Sequence, residues 1–271
     1  MRRILKSAFN LSLVSLVLLS MFSCEDKKGL TYDITEESRE ALLVEGDPSS
    51  PKCVVSVSMP FLPTGEDNAQ RSIAMKINNQ VLKEFFNGEG NPHEVVENFV
   101  DDYLKEYKED RYDYYVSERS NCLPEDTSFL VNAFSAHLTM RGSISSGRNG
   151  MLGFTVEQEV YNGGAHPVST TYFVNFNPVT GDEVKLSDVF LTGTLDQLTD
   201  KITRAIAAQN KVRDMEGLRE LGYDDIGTPQ EYLMGPDSLT FFYNVYEIGP
   251  YALGPTRVSI AYKDMEDIMV K

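Results

Sequence analysis

The interval between apolar residues restricts the folds open to this chain more than any other feature, and it changes several times along the sequence. Lys52 to Pro60, KCVVSVSMP, is β-branched with a period near two, the mark of a strand. From Ile73 the interval becomes three and four. Ile73, Ile77, Val81, Leu82 and Phe85 fall on one helical face, which closes at Asn87-Gly88. The next helix is the best marked: Asn91 can cap it, Pro92 suits its first turn, and Glu94 follows the cap by three. Val96, Phe99, Val100, Tyr103, Leu104 and Tyr107 then form a core-facing stripe, with Asp101, Asp102, Glu106 and Glu109 on a solvated face.

Between Ser128 and Val184 the pattern is strand-rich: FLVNAFSAHLTM, MLGFTVEQEVY, TTYFVNFN and DEVKL, separated by Gly, Asn and Ser. Asn177-Pro-Val-Thr-Gly181 signals a hairpin, and Gly142 to Gly147, GSISSG, reads as a flexible loop. Thr194 is placed to cap a further helix, with Gln197 at the capping-box position and Leu195, Leu198, Ile202, Ala205 and Ile206 along one side. The chain ends in strand, glycine-proline turns, strand and a short helix. Strands and helices in blocks, without strict alternation, predict an α+β fold of mixed antiparallel sheets packed with a few helices.

The N-terminus places the chain in the cell. Arg2, Arg3 and Lys6 precede an apolar run from Ala8 to Phe22, too short to span a bilayer but laid out as an export signal. Leu19 to Cys24, LSMFSC, is similar to a relaxed bacterial lipobox, so Cys24 is the expected site of lipidation, including palmitate, on a leader of residues 1–23. Residues 24–50 are polar and acidic and read as a flexible tether. Loss of the leader leaves 22 basic against 41 acidic residues, a net charge of about −19. Such a charge argues against nucleic acid, which needs a basic surface, and favours a basic partner. Cys53 and Cys122 remain as two thiols in a compartment that permits disulfides. A bond between them would close a loop of about 70 residues and contribute roughly 4 kcal/mol, while two separate buried thiols are the alternative.

Little in the chain points to bond-breaking chemistry. His93, His137 and His166 are far apart in sequence, and there is no GxSxG elbow, P-loop, zinc spacing or EF-hand loop, so neither metal nor cofactor is expected. His166 follows Asn162-Gly163-Gly164, a turn that demands positive φ, and Pro167 stiffens its exit. A structural turn, a binding surface and a catalytic residue all remain open for it. Glu157 and Glu159 share one strand face and could act as acid and base, or form a wet face. Tyr246, Gly249, Pro250 and Tyr251 make the other candidate site, a proline-fixed turn carrying rigid aromatic anchors. The other reading is that this turn and the GGAHP turn only brace each other.

Taken together, Tyr161, Gly163, Gly164, Ala165 and His166, then Thr180-Gly181, Leu186-Ser187-Asp188 and Phe190, and finally Tyr246 to Ala252 with Gly254, resemble the PdaC/RsiV-like extracytoplasmic family. The resemblance covers roughly residues 52 to 268. It implies a PdaC-like subdomain over 51–178 and an RsiV-like one over 179–271. In that family one member binds lysozyme through this region, and another carries it beside a separate metal-dependent deacetylase domain. That domain's Asp-Asp and His-x-x-x-His segments are absent here. The reading is therefore an envelope lipoprotein with a non-catalytic module for a lysozyme-like basic protein or a cell-wall glycan. Tyr161, Gly163, Gly164, His166, Pro167, Tyr246, Gly249, Pro250 and Tyr251 are its candidate contacts. The alternatives are a hydrolase or deacetylase acting on envelope polysaccharide, with His166 and a carboxylate as the working pair, and a scaffold lipoprotein.

Overall fold

A computed structural model describes residues 23–25, 30–65, 67–122 and 127–270. Residues 1–22 of the expected leader 1–23, and the side chain of Cys24, lie outside the described residues. No helix among the described residues is long and apolar enough to cross a membrane.

The fold is α+β. Its larger sheet runs in order β1 (Ser23–Glu25), β2 (Thr31–Leu42), β3 (Lys52–Phe61), β4 (Ala136–Ser146), β5 (Leu152–Tyr161) and β6 (Val168–Phe176). All neighbours are antiparallel except β3 and β4. A parallel pair needs a long crossover, and here three helices supply it: α1 (Asn68–Phe86), α2 (Pro92–Asn121) and α3 (Thr127–Phe134). The period of two sets which face the helices cover. Cys53, Val55, Val57, Met59 and Phe61 of β3 and Ala136, Leu138 and Met140 of β4 are buried, and Ile77, Val81, Val96 and Val100 join them in one core. Asp67 and Asn91 cap α1 and α2 through their side chains, and Asn87 ends α1 in the left-handed region.

After the Asn177 to Gly181 turn, closed by Gly181 N–H donating to the Asn177 carbonyl, a second core begins. It gathers α4 (Leu186–Val189), α5 (Leu195–Gln209), α6 (Met215–Glu220) and a three-stranded antiparallel sheet of β7 (Glu231–Met234), β8 (Ser238–Tyr243) and β9 (Thr256–Ala261). Leu198, Ile202 and Ile206 of α5 are fully buried with Leu239 and Phe241. The first core ends at Phe176 and the second begins at Val189.

Several expectations are corrected. Residues 24–50 are not a tether throughout, because Thr31–Leu42 is a twelve-residue strand paired along β3 and Leu43 is buried. Its polarity concealed it. Arg39 faces the helices as an inward charge and is satisfied there by Glu97 at 2.8 Å and by Asp101 of α2, with Glu37 at 3.5 Å. Residues 127–134 form a helix, not a strand, since Leu130 and Phe134 are buried four apart while Phe129 is 74 % exposed. Gly142 to Ser146 lies inside β4. Thr194 precedes α5 without capping it; its hydroxyl donates to the Leu191 carbonyl instead.

Of the two readings of Cys53 and Cys122, the disulfide is not formed: both are free thiols, Cys53 buried and Cys122 half-buried. Cys53 lies in the centre of the core near Tyr103, Tyr107 and Arg111 of α2. Cys122 follows the last residue of that thirty-residue helix. Cys53 is thus held inside the sheet core, while Cys122 stands just beyond the end of α2.

Candidate functional site

The two candidate turns, about 80 residues apart in sequence, meet in space. The first joins β5 to β6 and is held by groups distant in sequence. Arg111 of α2 donates to the Asn162 side-chain oxygen at 3.1 Å and to the Phe134 carbonyl at 3.2 Å, tying the turn to the end of α3. Gly163 has φ +85°, and a Cβ there would sit 2.2 Å from the Ala133 carbonyl oxygen. Glycine is needed for both conformation and space. Gly164 is also left-handed, at φ +103°, with open space around it. The Tyr161 hydroxyl donates across the turn to the Gly164 carbonyl at 3.0 Å.

The second turn joins β8 to β9. Gly249 is buried, and a Cβ would meet Leu253 at 2.7 Å and the Gly222 carbonyl oxygen at 3.0 Å, so packing excludes a side chain. Pro250 opens a 3-10 turn over Tyr251–Leu253. Tyr246 has φ +72°, a backbone state that bulky side chains rarely adopt.

Contact between the turns is made by rings. His166 stacks on Tyr251 with centroids 4.2 Å apart and planes at 21°, and Tyr246 leans on Tyr251 at 5.6 Å. The Tyr251 hydroxyl donates to the Pro167 carbonyl at 3.5 Å, the same oxygen that lies 3.0 Å from His166 Nδ1. Among the described residues nothing covers this corner: Tyr246 is 62 % and Tyr251 38 % exposed, and His166 and Pro250 are exposed as well. Among the described residues, no carboxylate lies within ion-pair distance of His166, and no group of His, Cys, Asp and Glu could hold a metal.

A second histidine has the partner that His166 lacks. His137 Nε2 is 3.1 Å from Glu159 Oε1, its ring stacks on Tyr161 at 5.5 Å, and Ser169 reaches the other Glu159 oxygen at 3.5 Å. All stand on the face of the sheet opposite the helices, since His137 pairs with Tyr161 in register and Glu159 with Ser169. Sequence reasoning weighed Glu159 only against Glu157, because His137 is 22 residues away and only strand register brings it near.

Other polar groups fix the corner from behind. The outer edge of β6 would expose unpaired backbone groups, and the C-terminal subdomain satisfies them. Asn244 accepts from Thr171 N–H at 2.7 Å and donates to the Thr171 carbonyl at 3.0 Å, while Glu231 accepts from Phe173 N–H at 2.6 Å. Burial pushes the Glu231 carboxyl pKa up. Asn175, 1 % exposed, donates to the Tyr232 carbonyl and accepts from Met234 N–H, each at 2.8 Å.

This arrangement, a helix-backed sheet whose last strand is capped by a smaller three-stranded subdomain, is shared with known proteins. Residues 187–263 match the family described as DUF3298, protein of unknown function, which is the PdaC/RsiV-like domain. The fold is similar to that of a DUF3298 family member from Bacteroides fragilis, with a TM-score of 0.79 and 26 % identity over 89 % of this chain and 93 % of that one. It is also similar to a DUF3298 family protein from Pseudomonas aeruginosa, with a TM-score of 0.57 and 14 % identity over 88 % of this chain and 94 % of that one. The chain has no significant match among curated proteins. The family match takes in the Tyr246 to Tyr251 turn but not the Tyr161 to Pro167 turn.

Proposed function

We propose that this chain is a recognition module of the cell envelope, carried on a lipid at Cys24, that binds its ligand at the aromatic corner and breaks no bond. The observation that carries this reading is the stack of His166 on Tyr251 at 4.2 Å, left open to solvent with Tyr246 beside it. Rigid rings held on glycine and proline turns provide contact area at small entropic cost. The ligand we favour is a basic protein of the lysozyme kind, since about −19 charges on the mature chain speed encounter with a cationic surface. A pull-down with lysozyme at low and moderate salt tests this. Retention that weakens with salt and is lost in Tyr251→Ala supports it. No retention at either salt removes the protein ligand, and co-sedimentation with purified peptidoglycan would then point to a wall glycan.

The enzymatic alternative rests on one observation, the His137 and Glu159 pair at 3.1 Å on the open sheet face. Turnover of an envelope polysaccharide by the purified chain, abolished in His137→Ala, would establish that reading in place of ours.

A further inference from the structure

A cavity of about 430 Å³ lies between the β4–β5 hairpin and the C-terminal subdomain, lined by none of the residues of the aromatic corner. Its size is at the lower end of the roughly 300–1,000 Å³ of small-molecule sites, which suits a metabolite rather than a polymer. Met151, Met234 and Met269 with Val189 supply its apolar lining. The last residues of the chain form one wall, pinned where Val270 N–H donates to the Val189 carbonyl at 2.9 Å. Three thioether side chains around one space make a lining that adapts to the shape of an aliphatic group.

The charged side chains at this cavity form no ion pairs among the described residues. Arg148 is fixed through its backbone, with its N–H donating to the Gly235 carbonyl at 3.0 Å, and its guanidinium lies 4.6 Å from the centre of the Tyr262 ring. Tyr262 is itself held by its hydroxyl bond to the same carbonyl at 2.9 Å. Stacking occupies the face of the guanidinium and leaves its N–H edge to form a fork toward a carboxylate. In a chain with 41 acidic residues, Arg148 nevertheless forms no ion pair among the described residues. Asp188 and Glu266 line the same cavity and are likewise in no ion pair among the described residues; Asp188 accepts from Lys185 N–H at 2.9 Å. The open groove along α1, by contrast, has its Lys76 already engaged by Asp182 at 2.6 Å and offers only a helix surface as floor.

We propose that this cavity binds a small zwitterion with an aliphatic side chain, an amino acid or short peptide, whose carboxylate meets Arg148, whose ammonium meets Asp188 and Glu266, and whose side chain enters the methionine lining. One cation and two anions, apart from one another on a common apolar floor, complement such a molecule and disfavour a simple fatty acid.

The test is methyl NMR on the full chain in detergent, its ten methionines labelled at the methyl carbon, titrated with leucyl-leucine, its N-acetyl derivative and its C-terminal amide. Leucyl-leucine should shift the methyls of Met151, Met234 and Met269 in a saturable way. Blocking either end should weaken binding by about tenfold. Arg148→Gln, at an exposed position, should keep the thermal midpoint of the unaltered chain and bring the dipeptide down to the level of its amide. No saturable shift by about 10 mM, equal binding of all three compounds, or indifference to Arg148→Gln would overturn the proposal.

Discussion

Both ends of β6 touch the C-terminal subdomain, but on different terms. At the Asn175 end the contact is buried and every polar group is paired, one amide bridging the Tyr232 carbonyl and the Met234 N–H. At the Pro167 end it consists of rings in solvent and one long hydrogen bond of 3.5 Å. The first kind of contact fastens two bodies together. The second contributes little to stability, since its rings give up little surface to the core, and leaves aromatic area free for a ligand. Stability and recognition are thereby assigned to opposite ends of one strand.

Substitutions that attack one end and spare the other can break this comparison. The largest loss is expected from Asn175→Ala, which strands a buried carbonyl and a buried N–H and should cost about 3 kcal/mol in chemical denaturation. Lysozyme affinity should be unchanged in the fraction that remains folded. Gly163→Ala comes next: positive φ and the approach of the Ala133 carbonyl should cost about 2 kcal/mol. This variant should also weaken binding, because it displaces the frame that holds His166. His166→Ala and Tyr251→Ala should each cost less than about 1 kcal/mol, yet lower lysozyme affinity by about tenfold or more if the corner carries recognition.

A smaller effect sharpens the contrast between buried and exposed groups. Burial pushes the Cys53 thiol up to about 11 from an ordinary 9.0. The thiol of the unfolded chain ionises first, so this group's contribution to stability is present below pH 9 and is lost as pH rises toward 11. Native protein at pH 8 should therefore alkylate at Cys122 and not at Cys53 until denaturant is added, as peptide mapping would show.

How much of this was legible in sequence depends on the range of the interaction. The stripes of α1 and α2 and the caps at Asn91 and Asn87 depend on neighbours within one turn, and they read correctly. The glycines and prolines of the two turns were also visible, because left-handed backbone and fixed φ leave a compositional trace. Strand β2 was not legible: its inward Arg39 becomes intelligible only once Glu97 and Asp101, about 60 residues on, lie beneath it. Nor were Arg111, Asn175 and Asn244. Each is a single polar residue whose partners lie 23 to 73 positions away, and no local period marks it.

The most direct test measures lysozyme affinity and thermal midpoint together, on the same preparations of the unaltered chain, Tyr251→Ala and Asn175→Ala. The account predicts that Tyr251→Ala loses affinity while keeping its midpoint, and that Asn175→Ala lowers the midpoint while keeping affinity. A Tyr251→Ala protein that melts as early as Asn175→Ala yet binds as tightly as the unaltered chain would show that the exposed rings only brace the fold, and would contradict it.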